Sequence, residues 1–198
     1  MNRQIRLEHV ISFADAIFAF SITFMAISID VPDLPRNLSQ AQVVTRLLES
    51  LPEFEIYVIS FFVVALYWIA YHQIFNNIVG SHHMITWLTL IFLFFITLIP
   101  LATNLQIGYG FDQIVFMLYA LVLTVAGSLL TITWLHATKN KLIDKTVSQN
   151  EIRNITLESI ITPMVFLLSI LVSFIDLQIA HYFWLVLIPA KIILRKRK

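Results

Sequence analysis

The 198-residue sequence contains no cysteine, only four glycines, and charged residues at 13%. Without cysteine there are no disulfides, no thiolate metal site and no thiol nucleophile. A soluble domain carries about 25% charged residues, so a water-facing globule is excluded. Between Glu55 and Asp112 there is no Asp, Glu, Lys or Arg, a gap with room for two membrane crossings. Nucleotide loops, catalytic triads and paired carboxylates at helical spacing are also missing from the apolar runs, so no enzyme activity and no cofactor or resident metal is expected. What fills the chain is apolar: 59% hydrophobic residues and a mean hydropathy of +0.83. These values place it among all-α, polytopic membrane proteins, with the lipid bilayer as its surroundings.

Hydrophobic runs predict six spans, at about 9–30, 54–75, 84–105, 113–137, 157–175 and 178–194, forming a single membrane domain over 1–198. The first run continues too far for a secretory signal peptide and lacks a small-residue cleavage pattern, so none is expected. Between the first two spans, Val31-Pro32-Asp33-Leu34-Pro35 stops the helix, and Asn37-Leu38-Ser39 fits a glycosylation sequon. Helix capping is the role expected for Ser39: with Gln42 it has capping-box spacing ahead of Val43, Val44, Leu47, Leu48 and Leu51, a short amphipathic helix at the interface. Pro100, Pro163 and Pro189 fall inside spans, where neighbouring helices can satisfy the freed carbonyls.

The basic residues set the orientation. Of the 13 Lys and Arg, only Arg36 and Arg46 fall outside three segments: the N-terminus, the fourth connection and the tail 191–198. Six spans put those three segments on one side, so both termini are expected in the cytoplasm, with the tail against anionic headgroups. A nucleic-acid partner has no support.

The first span, from His9 to Ile29, differs from the rest. It carries Asp15 well inside its ends and hydroxyls at Ser12, Ser21, Thr23 and Ser28. A charge in hydrocarbon costs a few kcal/mol or more, so Asp15 is expected to face protein or water. Phe13, Phe20, Phe24 and Ile27 make a bulky stripe, and Ala16, Ala19, Thr23 and Ala26 a small one beside it. Such a helix is either packed among others or lines a pore. Ordinary helix packing is the commoner origin of such stripes.

The run Phe13-Ala14-Asp15-Ala16-Ile17-Phe18-Ala19-Phe20-Ser21-Ile22-Thr23-Phe24, followed by Val31-Pro32, resembles the opening signature of the transmembrane protein 175 family of potassium channels. Tyr67-Trp68 with His72 is similar to its second-span pattern. His9 stands where that family has Arg, and Ala14 where it has Ser. The resemblance implies a potassium-permeable cation channel in a prokaryotic plasma membrane, a homotetramer whose first helices line a central pore. Conduction would be passive and electrogenic, with protons sharing the path. It places a hydrophobic constriction at Phe20, with Phe24 and Ile27 further up the same face, and a selectivity layer of hydroxyls at Thr23. Beside it stand two alternatives: a proton- or ion-coupled secondary transporter using Asp15, and a non-transporting membrane scaffold. His9, Asp15, Trp68 and His72 are expected to form one structural polar cluster at the cytoplasmic end.

Gly108-Tyr109-Gly110 looks like the carbonyl filter of ordinary potassium channels. With spans three and four abutting it there is no room for a re-entrant loop, so an external turn is expected. His72, His82 and His83 lack accompanying thiols or carboxylates in sequence, and structural roles are expected for them.

Overall fold

A computed structural model describes residues 6–27, 29, 35, 38–80, 82–110 and 112–187. Among these the chain is helical: α1 Leu7–Ile27, α2 Gln40–Glu49, α3 Leu51–Phe75, α4 His83–Tyr109, α5 Gln113–Lys139, α6 Gln149–Ser173 and α7 Leu177–Tyr182, with a 3-10 helix at Phe183–Val186. Five of them, α1, α3, α4, α5 and α6, are long and apolar enough to cross a membrane. At 1.5 Å per residue, even the 21 residues of α1 reach about 30 Å, the thickness of the hydrocarbon core.

The sixth expected span, 178–194, is described only as far as 187, where it holds α7 and the 3-10 helix. Pro189 and the basic tail lie outside the described residues, as do Asn37 of the sequon and Ser28. The helix that contains the expected fifth span, 157–175, begins earlier, at Gln149. The Ser148 hydroxyl caps α6 by accepting from the Glu151 N–H at 3.2 Å, and its polar first two turns continue into the apolar run. Ser39 caps α2 with Gln42 in a reciprocal box, Gln42 Oε1 accepting from the Ser39 N–H at 2.9 Å.

The connections after α3 and after α5 meet at one end of the bundle. Ile78 and Ile143 form an antiparallel bridge, with Val79 N–H donating to Leu142 O at 2.8 Å and Asp144 N–H to Asn77 O at 2.9 Å. The Asp144 carboxylate accepts from the Thr146 N–H and hydroxyl, which holds its pKa below the usual carboxylate value. Gly108 and Tyr109 finish α4, and Gly110, at φ 61°, turns the chain toward α5. The Gly-Tyr-Gly stretch is therefore a helix end and not a filter loop.

The core joins α3, α4, α5 and α6 through aromatic rings. Tyr67 meets Phe92 and Phe166 at ring separations of 6.3 and 6.1 Å, and Trp184 stacks on Tyr119 at 5.2 Å. Pro163 removes the N–H that would bond Ser159 O in α6. The Thr131 hydroxyl of α5 donates to that carbonyl at 2.7 Å instead. Close approach here requires Gly127, since a Cβ on it would lie 3.1 Å from the Tyr67 hydroxyl and 3.2 Å from Pro163. Gly127→Val should therefore destabilise the subunit by about 1–3 kcal/mol, as overpacking does in other cores. A thermal melt equal to that of the unmodified protein would show that α5 and α6 do not pack this closely.

Candidate functional site

α1 touches the rest of the subunit along one face. Val10, Ala14, Phe18, Ser21 and Met25 are buried there at the spacing of one helical stripe. Phe18 meets Tyr71 of α3 and Phe92 of α4, each at 6.0 Å, and the Thr103 hydroxyl of α4 lies 3.7 Å from the Met25 sulfur. Ser21, which would be unpaired in that apolar contact, donates to Ile17 O at 2.8 Å.

The other faces are open. Phe20 is 62% and Ile27 76% exposed, while Phe13 and Phe24 are also exposed, with the Phe20 and Phe24 rings stacked at 5.8 Å. Thr23 is exposed and donates to Ala19 O at 2.8 Å, so its oxygen keeps free lone pairs. At about 100° per residue, Thr23 with Ala16 and Ala19 points away from the buried stripe, and Phe20, Phe24 and Ile27 flank it on one side. Constriction and selectivity candidates thus lie on the part of α1 that its own subunit leaves uncovered.

Asp15 projects from the opposite flank and ties α1 to α3. A single oxygen, Oδ1, accepts from the Trp68 indole N–H at 2.9 Å and faces His72 Nε2 at 2.8 Å. At that distance from a carboxylate the His72 Nε2 must carry a proton. Trp68 and His72, four residues apart, share one face of α3 and pack edge to face at 4.7 Å. Tyr71 adjoins them, stacking on Phe75 at 4.1 Å. The Asp15 side chain nevertheless stays 44% exposed.

His9 is not part of this group. Its side chain is exposed, and six positions separate it from Asp15, which turns the two about 120° apart on the helix. His82 and His136 lie ring to ring at 5.2 Å, and His83 Nε2 accepts from the Trp87 indole at 2.9 Å. Sequence reading also passed over Glu158. It lies just inside the point where hydropathy places the fifth span and reads as part of the polar lead-in, yet it is buried at 7% exposure. The signal that could have found it is the Ser148 cap, which starts the helix three turns earlier.

Apolar helices of spanning length, with Asp15 and Glu158 as the acids well inside them, define a multi-pass helical membrane protein. Residues 9–100 match the model of the endosomal/lysosomal potassium channel TMEM175 family. A potassium channel of Chamaesiphon minutus is 24% identical over 173 residues, 85% of this chain and 85% of the relative. One from Streptomyces collinus is 28% identical over 145 residues, 70% of this chain and 66% of the relative. The crystal structure of a lysosomal potassium-selective channel TMEM175 homolog from Chamaesiphon minutus superposes with a TM-score of 0.79 at 22% identity, covering 96% of this chain and 97% of that one. The fold is shared across nearly the whole length.

Removing the Asp15 carboxylate leaves the Trp68 and His72 donors facing each other without an acceptor. Asp15→Ala should lower stability by about 1–3 kcal/mol, and Asp15→Asn, which keeps an acceptor oxygen, by less. Equal melting temperatures for the two variants and the unmodified protein would show that α1 is held by apolar packing alone.

Proposed function

We propose that the chain is one subunit of a homotetrameric, potassium-permeable cation channel in a plasma membrane, with both termini cytoplasmic and α1 walling the central pore. The observation that carries this reading is the half-exposed Asp15 side chain within a bilayer-spanning helix. A carboxylate does not face lipid tails, so that side of α1 must meet water or another subunit. A single helix encloses no conduit, and several copies around an axis do. The potassium channels among the relatives give the cargo.

Phe20, with Phe24 and Ile27 above it, forms the constriction in this reading. Apolar rings strip an ion of hydration without replacing it, so the neck conducts only while wetted. The Thr23 hydroxyls, their protons already given to Ala19 O, offer lone pairs as partial replacement. Discrimination by a hydrophobic neck is modest, so other monovalent cations and protons are expected to pass alongside potassium.

The half-exposed acid would also suit a carboxylate-coupled transporter, and flux measurements separate the two. Liposomes holding the purified protein should dissipate a potassium gradient electrogenically with no second ion required. Saturable exchange that needs a proton or sodium gradient would instead identify a transporter, and silence in both assays a scaffold. Within the channel, Phe20→Ala should raise potassium flux several-fold. Phe20→Cys should make it sensitive to silver ions, in a chain with no cysteine of its own. An unchanged flux in the first variant and no block in the second would move the constriction elsewhere.

A further inference from the structure

Behind the first helix, where α3, α5 and α6 meet, lies a cavity of about 20 Å³ whose lining includes Tyr67, Gln73, Gly127, Glu158, Ser159 and Thr162. A space of that size holds one guest the size of a water molecule. Glu158 is more than nine-tenths buried, and among the described residues its carboxylate forms no ion pair and accepts no hydrogen bond. From this we propose that the cavity is a binding site for one dehydrated monovalent cation, separate from the pore, with the Glu158 carboxylate as its counter-charge.

The hydroxyls around the cavity decide the sign of the guest. Ser159 donates its proton to Thr156 O at 2.9 Å, Thr162 donates to Glu158 O at 3.3 Å, and Tyr67 donates to Leu123 O. Every one of these protons is spent on a backbone carbonyl, so what remains toward the cavity is lone pairs. The Gln73 side chain adds an amide oxygen and can turn it inward. An oxygen-lined space containing one unpaired carboxylate rejects anions and suits a hard cation. One positive charge neutralises the site, whereas a divalent ion would leave a net charge in hydrocarbon.

Among the lining residues, Tyr67 on α3 is the only titratable group besides Glu158; α5 contributes Gly127 and Leu130, and α6 adds Ile155, Ser159 and Thr162. No basic side chain there competes for the carboxylate. Gln73 lies two residues from the end of α3, so the cavity is near the bundle end where the Ile78–Ile143 bridge closes the connections. That end gives an ion a short route from solvent without entering the space around α1. Occupancy would clamp α3 to α6, helices that otherwise share few direct contacts.

The test is thermal unfolding of the purified protein, followed by tryptophan fluorescence, in potassium, sodium or choline chloride at equal ionic strength. A small cation present at about ten times its Kd should raise the midpoint by roughly 4 °C over choline. Glu158→Gln should abolish that rise while keeping potassium flux in liposomes, since the residue lies outside the proposed conduction path. Persistence of the rise in the variant would place the bound cation elsewhere, and stability that responds to pH but to no metal cation would make the guest a proton. Either result overturns the proposal. Should Glu158→Gln fail to fold, thallium anomalous scattering from crystals of the unmodified protein decides: a peak beside Glu158 supports the site, and its absence there overturns it. Loss of flux in the unmodified protein would refute the channel reading and leave this one standing.

Discussion

No water reaches the hydrocarbon interior to satisfy a polar side chain, and that single condition organises this bundle. Most span hydroxyls comply by bonding the carbonyl one turn back, as Thr89 does to Ile85 O and Thr133 to Leu129 O, each within 2.9 Å. A smaller set reaches across helices and so fixes their register: Tyr119 to Ser60 at 2.9 Å, Trp134 to Thr156 at 2.8 Å and Trp184 to Ser169 at 3.0 Å. Apolar packing brings these helices together without specifying how far each slides along its neighbour. The interhelical bonds supply that specification. Two carboxylates fall outside the pattern: Asp15, half exposed beside Trp68 and His72, and Glu158, buried beside a cavity.

The five long apolar helices among the described residues were legible from hydropathy because a run of apolar residues has few other uses. The α2 cap was legible too, since Ser39 and Gln42 carry their partners at fixed spacing. Where reading failed, a local signal was outweighed by an average. Residues 149–156 are polar enough to pull the hydropathy window away, although Ser148 and Glu151 form an ordinary helix start. The Trp68–His72 pair was accessible as an i, i+4 repeat, and its joining to Asp15 follows from antiparallel neighbours meeting at one end. His9 does not join them, because six positions turn it about 120° away from Asp15 on the helix. Gly127 could not have been singled out, because its need arises from Tyr67 and Pro163 on two other helices.

Bulky rings fill the middle of the described subunit. Tyr67, Tyr71, Phe92, Phe166 and Trp134 are buried in it, and their rings close the space that a conduit would occupy. Protein interiors are packed about as densely as organic crystals, and an ion-sized passage through them would appear as a chain of cavities. On the channel reading proposed above, ion passage runs between copies.

That requirement returns to the geometry of α1. A helix shared between a subunit and an axis needs three surfaces: one for its own subunit, one for a neighbouring copy and one for the path. The buried stripe of Val10, Ala14, Phe18, Ser21 and Met25 supplies the first. The alanines at 16, 19 and 26 suit the second, since small side chains let backbones approach where no hydrophobic effect drives association. Phe20 and Ile27, bulky and exposed on the flank away from Asp15, suit the third. The acid on the remaining flank then holds the helix to α3 from the side, so that rotation of α1 would break the Trp68 and His72 contacts before it displaced the stripe. The same bond that satisfies a stranded carboxylate also fixes which residues α1 presents to its neighbours.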